Sequence, residues 1–409
     1  MHPAKAFPIS GLKTRVYSES STSSVIISET ADRQAATSIN TNTMFRLTTL
    51  FISLFIFSIS FAQFVPQPLK NFSPDSAGFK PGFFDAFTKE LEDSSKALGA
   101  FIVWRKKGIV YEHYFHGATA ESWFNIKSIT KSTVSAMTGI ALEKKFIADI
   151  NTPVVNILPE YGKPRSVSNK GPVLFAGWLA YNDSVRRTLT LRHLLTMQHG
   201  FEWNDFGTMA GVFLNSSDPI KFSLDLPFSD TPGRKFVYCT PATSIVGAAV
   251  AKAVGTDLRS FAKKNLFDPA GITIRRWDVD PVGREMGGSE MYMTAIDMMR
   301  FGLLYLNKGK AGSKQVIARS WVEASTEAQA RLDYWDILPN ANGYGYFWWR
   351  RKTNGHQTFF ASGACGQLIV VVPDLEMVIV AATRLDRPHR NREELKMLHV
   401  MIDKLTKEL

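Results

Sequence analysis

Cysteine is nearly absent from this chain: Cys239 and Cys365 are the two present in 409 residues. That excludes a disulfide scaffold and a cysteine-rich metal site. A Gly-x-Ser-x-Gly segment is missing too, so the strand-to-helix elbow of a Ser-His-Asp hydrolase has no candidate. The pair His113 and His116 would point to opposite faces of an alternating strand, so neither a metal nor a cofactor is expected. No repeat of fixed period occurs. The net charge of +11 is spread along the chain rather than gathered into a stripe with interleaved aromatics, which argues against a nucleic-acid partner.

What is present is an ordinary globular composition, 45% hydrophobic and 12% aromatic, which sets aside disorder, collagen and coiled coil for most of the length. The length exceeds the ~250 residues at which single cores stop growing, so two packed domains are expected.

The N-terminus stands apart. Residues 1–43 are rich in Ser and Thr without apolar periodicity, and are expected to be unstructured or a misassigned extension. Residues 44–62, MFRLTTLFISLFIFSISFA, read as a signal peptide: Met44 and Arg46 form the positive end, Leu47 to Ile59 the apolar core, and Ser60-Phe61-Ala62 the cleavage signal. Translation from Met44, a mature chain beginning near Gln63, and an exported, periplasmic or secreted protein are therefore expected. The alternative is an uncleaved anchor, since no charge falls between Arg46 and Lys70. The Ser and Thr inside the run favour cleavage, and no cysteine follows it to carry a lipid.

Beyond the leader, GAFIVWRKKGIVYEHYF (Gly99 to Phe115) alternates on both sides of Lys106-Lys107-Gly108, the pattern of a hairpin. GQLIVVVPDLEMVIVAAT (Gly366 to Thr383) gives two further strands around Pro373-Asp374. Between these ends the periodicity is helical, with Thr190, Asp257 and Thr294 as caps and Gly200, Gly271 and Gly309 as stops. Tyr161 to Arg187 reads as a long surface excursion, and NREELKMLHVMIDKL as an amphipathic helix against the sheet. The fold class is thus α/β (α+β): an antiparallel sheet flanked by helices and built from 66–146 and 290–409, with a mostly helical domain inserted at 147–289. A site is expected in the cleft between them.

One short motif carries chemistry. Ser128 and Lys131 lie three residues apart on the first turn of a helix, hence on one face. A lysine desolvated beside a serine can accept its proton, and the helix N-terminus offers N–H groups to an oxyanion. The spacing alone is cheap, since Ser10 with Lys13 and Ser260 with Lys263 repeat it.

Six ordered blocks distinguish Ser128 from those copies: NIKSITKSTVSAMTGIALEKK, LTLRHLLTMQHG, LPFSDTPGRKFVYCTPATSIVGAAVAKAVG, MTAIDMMRFGLLYLNKG, YGYFWW and ASGACGQLIVVVPDLEMVIV. From Pro66 to the C-terminus the chain resembles the serine β-lactamase-related hydrolases, which include class C β-lactamases, D-alanyl-D-alanine carboxypeptidases, esterases and 6-aminohexanoate-dimer hydrolases. The resemblance implies that Ser128 is acylated with Lys131 as base, and that Tyr238 of Tyr238-Cys239-Thr240 shuttles protons. It implies an oxyanion hole from the backbone N–H groups of Ser128 and Ala364, and substrate contacts from Thr240, Ser362 and Gly363. Two positions depart from the family pattern: Thr240 replaces an asparagine, and Ala361 of Ala361-Ser362-Gly363 replaces a lysine that would meet a substrate carboxylate.

These departures favour a small-molecule ester, amide or peptide-like substrate over a β-lactam. The rival readings are a penicillin-binding-type D-Ala-D-Ala carboxypeptidase or β-lactamase, and a non-catalytic binding protein of the same fold. Cys239 and Cys365 are read as two buried thiols rather than a disulfide. Of Trp178, Trp203, Trp348 and Trp349, one or two are expected to touch substrate.

Overall fold

The computed structural model describes residues 68–162, 183–332, 341–388 and 391–409. The extension 1–43, the leader 44–62, Trp178 and most of the Tyr161–Arg187 excursion lie outside the described residues.

In chain order the strands are β1 (Leu98–Arg105), β2 (Gly108–Tyr114), β3 (Phe124–Asn125), β4 (Ile274–Trp277), β5 (Met291–Met293), β6 (Lys310–Ala311), β7 (Lys314–Gln315), β8 (Ala330–Arg331), β9 (Ala341–Tyr344), β10 (Trp349–Thr353), β11 (His356–Gly363), β12 (Gln367–Val372) and β13 (Met377–Thr383). Lys106 closes the β1–β2 turn at φ 55°, and a short 3-10 turn over Pro373–Leu375 joins β12 to β13. Both hairpins read from the sequence are present.

Their union builds the main sheet. β1 pairs antiparallel with β13, from Leu98 opposite Thr383 to Arg105 opposite Met377, so the two ends of the folded chain share one ladder. The full order is β2-β1-β13-β12-β11-β10-β9-β8, and β3-β5-β4 forms a second, three-stranded sheet. β12 and β13 are buried along their whole length, which is why they read as unbroken apolar runs.

The helices that matter here are α1 (Phe83–Ser94), α2 (Ile129–Glu143), α3 (Leu191–Leu195), α4 (Thr240–Val254), α5 (Leu258–Ala262), α6 (Ala295–Leu306), α7 (Arg319–Thr326) and α8 (Asn391–Lys407). α1 and α8 cover one face: Phe87 meets Phe101 at 5.4 Å between ring centroids, and His399 meets Phe360 at 5.1 Å. Arg351, wholly buried on β10, reaches Asp403 of α8 at 2.7 Å. α6 and α2 lie on the other face, and Gly139 of α2 is seated on the indole of Trp321 in α7.

Three caps are where the sequence puts them: Thr190 accepts from His193 N, Asp257 from Ser260 N and Thr294 from Asp297 N. One helix is shorter than expected. α3 stops at Leu195 instead of running toward Gly200, because Met197 turns left-handed at φ 56°. α5 runs on through a π turn at Lys263–Phe267 and a last turn at Asp268–Ala270 to Gly271 at φ 66°, the stop the sequence marks, and the π turn falls just before Pro269, whose missing N–H cannot join the regular ladder. Among the described residues, no helix is long and apolar enough to cross a membrane.

α6 approaches the sheet at Gly302, where a Cβ would lie 2.5 Å from Val378 and 2.8 Å from Ile369. Gly302→Val should therefore cost on the order of 1–3 kcal/mol through overpacking. Calorimetry is expected to show a melting temperature lower by a few degrees. An unchanged value would mean that the helix has room to back away.

Candidate active site

The path into the site is set by a short ladder. β3 pairs with β5, Phe124 opposite Met293 and Asn125 opposite Tyr292, and Ile126 donates to Met291 O at 2.9 Å. Lys127 then turns left-handed at φ 49°, and α2 begins. Ser128 occupies the cap position, yet its side chain makes no capping bond. Its hydroxyl is therefore available to Lys131, whose Nζ stands 3.0 Å away.

Lys131 is 1% exposed. Its Nζ donates to Ser128 Oγ at 3.0 Å, to Thr240 Oγ1 at 3.0 Å and to Gly288 O at 2.8 Å. Those bonds use all the hydrogens of an ammonium. Burial pulls the lysine down from 10.5 to about 8, against the opposing charge of Asp205. Once neutral, the amine keeps two N–H bonds, to Thr240 and Gly288. Its lone pair is then left facing Ser128, which is the geometry a general base needs.

Tyr238, also buried, lies near enough to Ser128 for that hydroxyl to influence its phenol. Its ring stacks on Trp349 at 5.3 Å and 26°, and the Lys131 Nζ lies 5.2 Å from its centroid. Burial pushes the phenol well above its ordinary value, helped by Asp205 and opposed by the Ser128 hydroxyl. Tyr238 therefore holds its proton at neutral pH. Ser128 has two buried partners, one able to take a proton and the other able to give one.

The sequence assigned Thr240 to substrate, but its hydroxyl is already engaged. It donates to Asp205 Oδ2 at 2.8 Å and accepts from Lys131, while its backbone N–H donates to Asp205 Oδ1 at 2.7 Å. Trp203 Nε1 donates to the same Oδ1 at 2.7 Å. A hydroxyl has one proton, so Thr240 is placed as a brace on the lysine.

On the opposite wall, a Cβ at Gly363 would fall 2.3 Å from Ile126 O and 3.1 Å from the Lys127 Cβ. Only glycine allows β11 to approach the Ser128 segment this closely, and that approach brings the half-buried Ala364 to the mouth of the site. The β10–β11 ladder ends at the pair Trp349–Phe360, so β11 continues beyond it without β10 alongside. By alternation Ser362 shares a face with Phe360, whose register partner Trp349 stacks on Tyr238, while Ala361 faces the layer of α2 and α6.

No disulfide joins Cys239 and Cys365; the first is buried as expected, but the second, in the positive-φ turn that follows β11, is only half-buried. Trp203 and Trp349 lie against site residues, whereas Trp348 is core, 4.3 Å from Tyr305. The sequence reading missed Asp205 and Gly288. A Gly287-Gly288 pair was visible and signals a close backbone approach, and Gly287 does crowd Thr243 O of α4. Nothing local marked Asp205, which acts only through distant partners.

A neutral Lys131 is the form that can accept the Ser128 proton, so reaction of Ser128 with an organophosphorus reagent is expected to rise with pH through about 8 and level above it. Asp205 favours the charged lysine. Asp205→Asn should therefore move that rising limb to lower pH, and a limb that stays or moves upward would remove Asp205 from the electrostatics of the site.

A family model described as Beta-lactamase matches residues 84–402. The chain is 22% identical over 323 residues to the 6-aminohexanoate-dimer hydrolase of Paenarthrobacter ureafaciens, covering 72% of this chain and 76% of that protein. A Bacillus anthracis protein assigned by name to the 6-aminohexanoate-dimer hydrolases superposes with a TM-score of 0.63 at 21% identity, over 85% of this chain and 89% of its own. The octameric penicillin-binding protein homologue of Pyrococcus abyssi superposes at 0.59 with 16% identity, over 78% and 76%. The fold is that of the β-lactamases and penicillin-binding proteins, and with most of its length matched, the chain belongs to the Beta-lactamase family.

Proposed function

We propose that the protein is a serine hydrolase that cleaves an ester or amide bond through an acyl-enzyme on Ser128. The observation that carries this reading is the buried Lys131 Nζ, 3.0 Å from Ser128 Oγ, with the buried Tyr238 ring 5.2 Å from the same nitrogen. In acylation Ser128 Oγ attacks the carbonyl carbon and its proton passes to the neutral Lys131 amine. The N–H groups of Ser128 and Ala364 take the oxyanion. On collapse the bond to the leaving group breaks, and Tyr238 supplies that group with a proton, recovered from the Lys131 ammonium. Water then attacks the ester, its proton returns along the same pair, and Ser128 is regenerated.

Substrate class follows from what is missing. With Ala361 in place of a lysine, the strand offers no cation at that position to a substrate carboxylate, which favours neutral acyl groups over β-lactams. The relatives' names, which specify an amide dimer, agree with amide or ester cleavage. The Met44–Ala62 pattern supports a location outside the cytoplasm.

The test is intact-mass spectrometry after treatment with a fluorophosphonate. One adduct is expected, lost in Ser128→Ala, together with hydrolysis of small esters or anilides that falls on the order of 10³-fold or more in that variant. A folded protein that takes no adduct would refute the acyl-enzyme. Covalent tagging by a labelled penicillin would move the reading toward the penicillin-binding type.

Export is tested separately: the protein recovered from cells is expected to begin near Gln63. Recovery with residues 1–43 attached would contradict it.

A further inference from the structure

Two residues beside the site adopt a backbone conformation that side chains resist. Lys127, immediately before Ser128, has φ 49°, and Glu290, two residues after Gly288, has φ 64°. Left-handed residues other than glycine persist only where their surroundings over-determine them. Here they hold each other: Lys127 Nζ donates to Glu290 Oε1 at 2.9 Å, and Asn125 Nδ2 donates to Glu290 Oε2 at 2.6 Å. Asn125 Oδ1 in turn accepts the Lys127 backbone N–H at 3.0 Å. The two charged side chains are 26% and 23% exposed, so solvent and salt screen the pair less than they would on an open surface.

The position of this pair gives it a role. The peptide unit between Lys127 and Ser128 carries both the Lys127 carbonyl and the Ser128 N–H, and Lys127 sets its orientation. Its carbonyl is fixed into α2 by Thr130, whose N–H donates at 3.1 Å and whose Oγ1 donates at 2.7 Å. Its N–H must then point the opposite way, out of the helix start. Glu290 lies on the segment whose Gly288 carbonyl holds Lys131, and the Lys127 side chain borders Gly363 on the oxyanion wall. One ion pair therefore ties together the segments that carry nucleophile, base anchor and oxyanion turn.

Resting on the acyl-enzyme reading above, we propose that Lys127 and Glu290 are positioning residues whose ion pair aims the Ser128 N–H at the oxyanion and fixes Ser128 Oγ against Lys131. If the pair opens, Lys127 can relax toward an ordinary conformation, and the peptide bearing that N–H rotates with it. Transition-state contacts suffer while initial binding does not, because the oxyanion exists only after attack.

The test is the kinetics of fluorophosphonate labelling of the full chain in Lys127→Met, Glu290→Gln, the double variant and Lys127→Arg, with thermal melting alongside. Rates are taken on the high-pH plateau, where any change in Lys131 titration drops out. The maximal labelling rate is expected to fall about 10- to 100-fold in each single charge-removing variant, since misaligned catalytic groups lose rate on that scale. The half-saturating concentration should hold, and the double variant should be no worse than the poorer single one, as for two parts of one interaction. Lys127→Arg, which keeps the charge, should recover most of the rate. Wild-type labelling rates in variants that melt like the wild type would overturn the proposal, as would losses that multiply in the double variant. A wild-type protein that takes no label, and so matches Ser128→Ala, would bring down the acyl-enzyme reading itself and this proposal with it.

Discussion

A lysine side chain taken out of water is the constraint around which the rest of this structure is arranged. An ammonium in the interior is tolerated only if every N–H finds an oxygen. The chain supplies those oxygens from three separate places: Ser128 at the start of α2, Thr240 at the start of α4 and the carbonyl of Gly288. Each had to be delivered to the same few ångströms. The glycine at 288 shows how tight the delivery is, since a Cβ there would lie 2.6 Å from the Thr240 methyl and 3.4 Å from the lysine nitrogen itself.

The sheet and the helices meet at this point because each supplies one wall. β11 brings Gly363 against the Ile126 carbonyl, and the β3–β5 ladder fixes the chain just before Ser128. Strands from both ends of the chain are required for this. β1 pairs with β13, β13 with β12, and β12 with β11, so the position of the turn after Gly363 relative to the first segment is set through successive ladders rather than by a flexible linker. Such a frame suits a site that must keep its geometry before substrate arrives.

Much of this was legible in the sequence, for reasons that differ by residue. Ser128 and Lys131 declare themselves because a helix fixes the direction of residues three apart, and the hairpins at both ends because alternation at one, apolar runs at the other and turn residues at both are local signals. What stayed hidden depended on distant chain. Thr240 was read as a substrate contact, and no neighbouring residue could reveal that its proton would go to Asp205. The length of α3 was misjudged because Met197 accepts a left-handed turn that ordinarily falls to glycine. Trp349 and Trp348 are adjacent, but Trp349 opens β10 and stacks on Tyr238 while Trp348, just outside the strand, fills the core, a distinction that residue type does not carry.

Burial also assigns the roles of base and acid. In water a lysine and a tyrosine are nearly matched, at 10.5 and 10.0, so neither would act on the other's behalf near neutrality. Desolvation penalises whichever form is charged, and the two groups are charged on opposite sides of their titrations. The same low-dielectric pocket therefore lowers the lysine to about 8 and raises the tyrosine. One becomes an available base and the other a retained acid, and no additional charged group is needed to separate them. Asp205 limits this separation on the lysine side, by favouring the ammonium, and extends it on the tyrosine side. Its position behind Thr240 thus tunes both partners of Ser128 from outside their direct contacts, and Thr240 and Trp203 together hold that carboxylate.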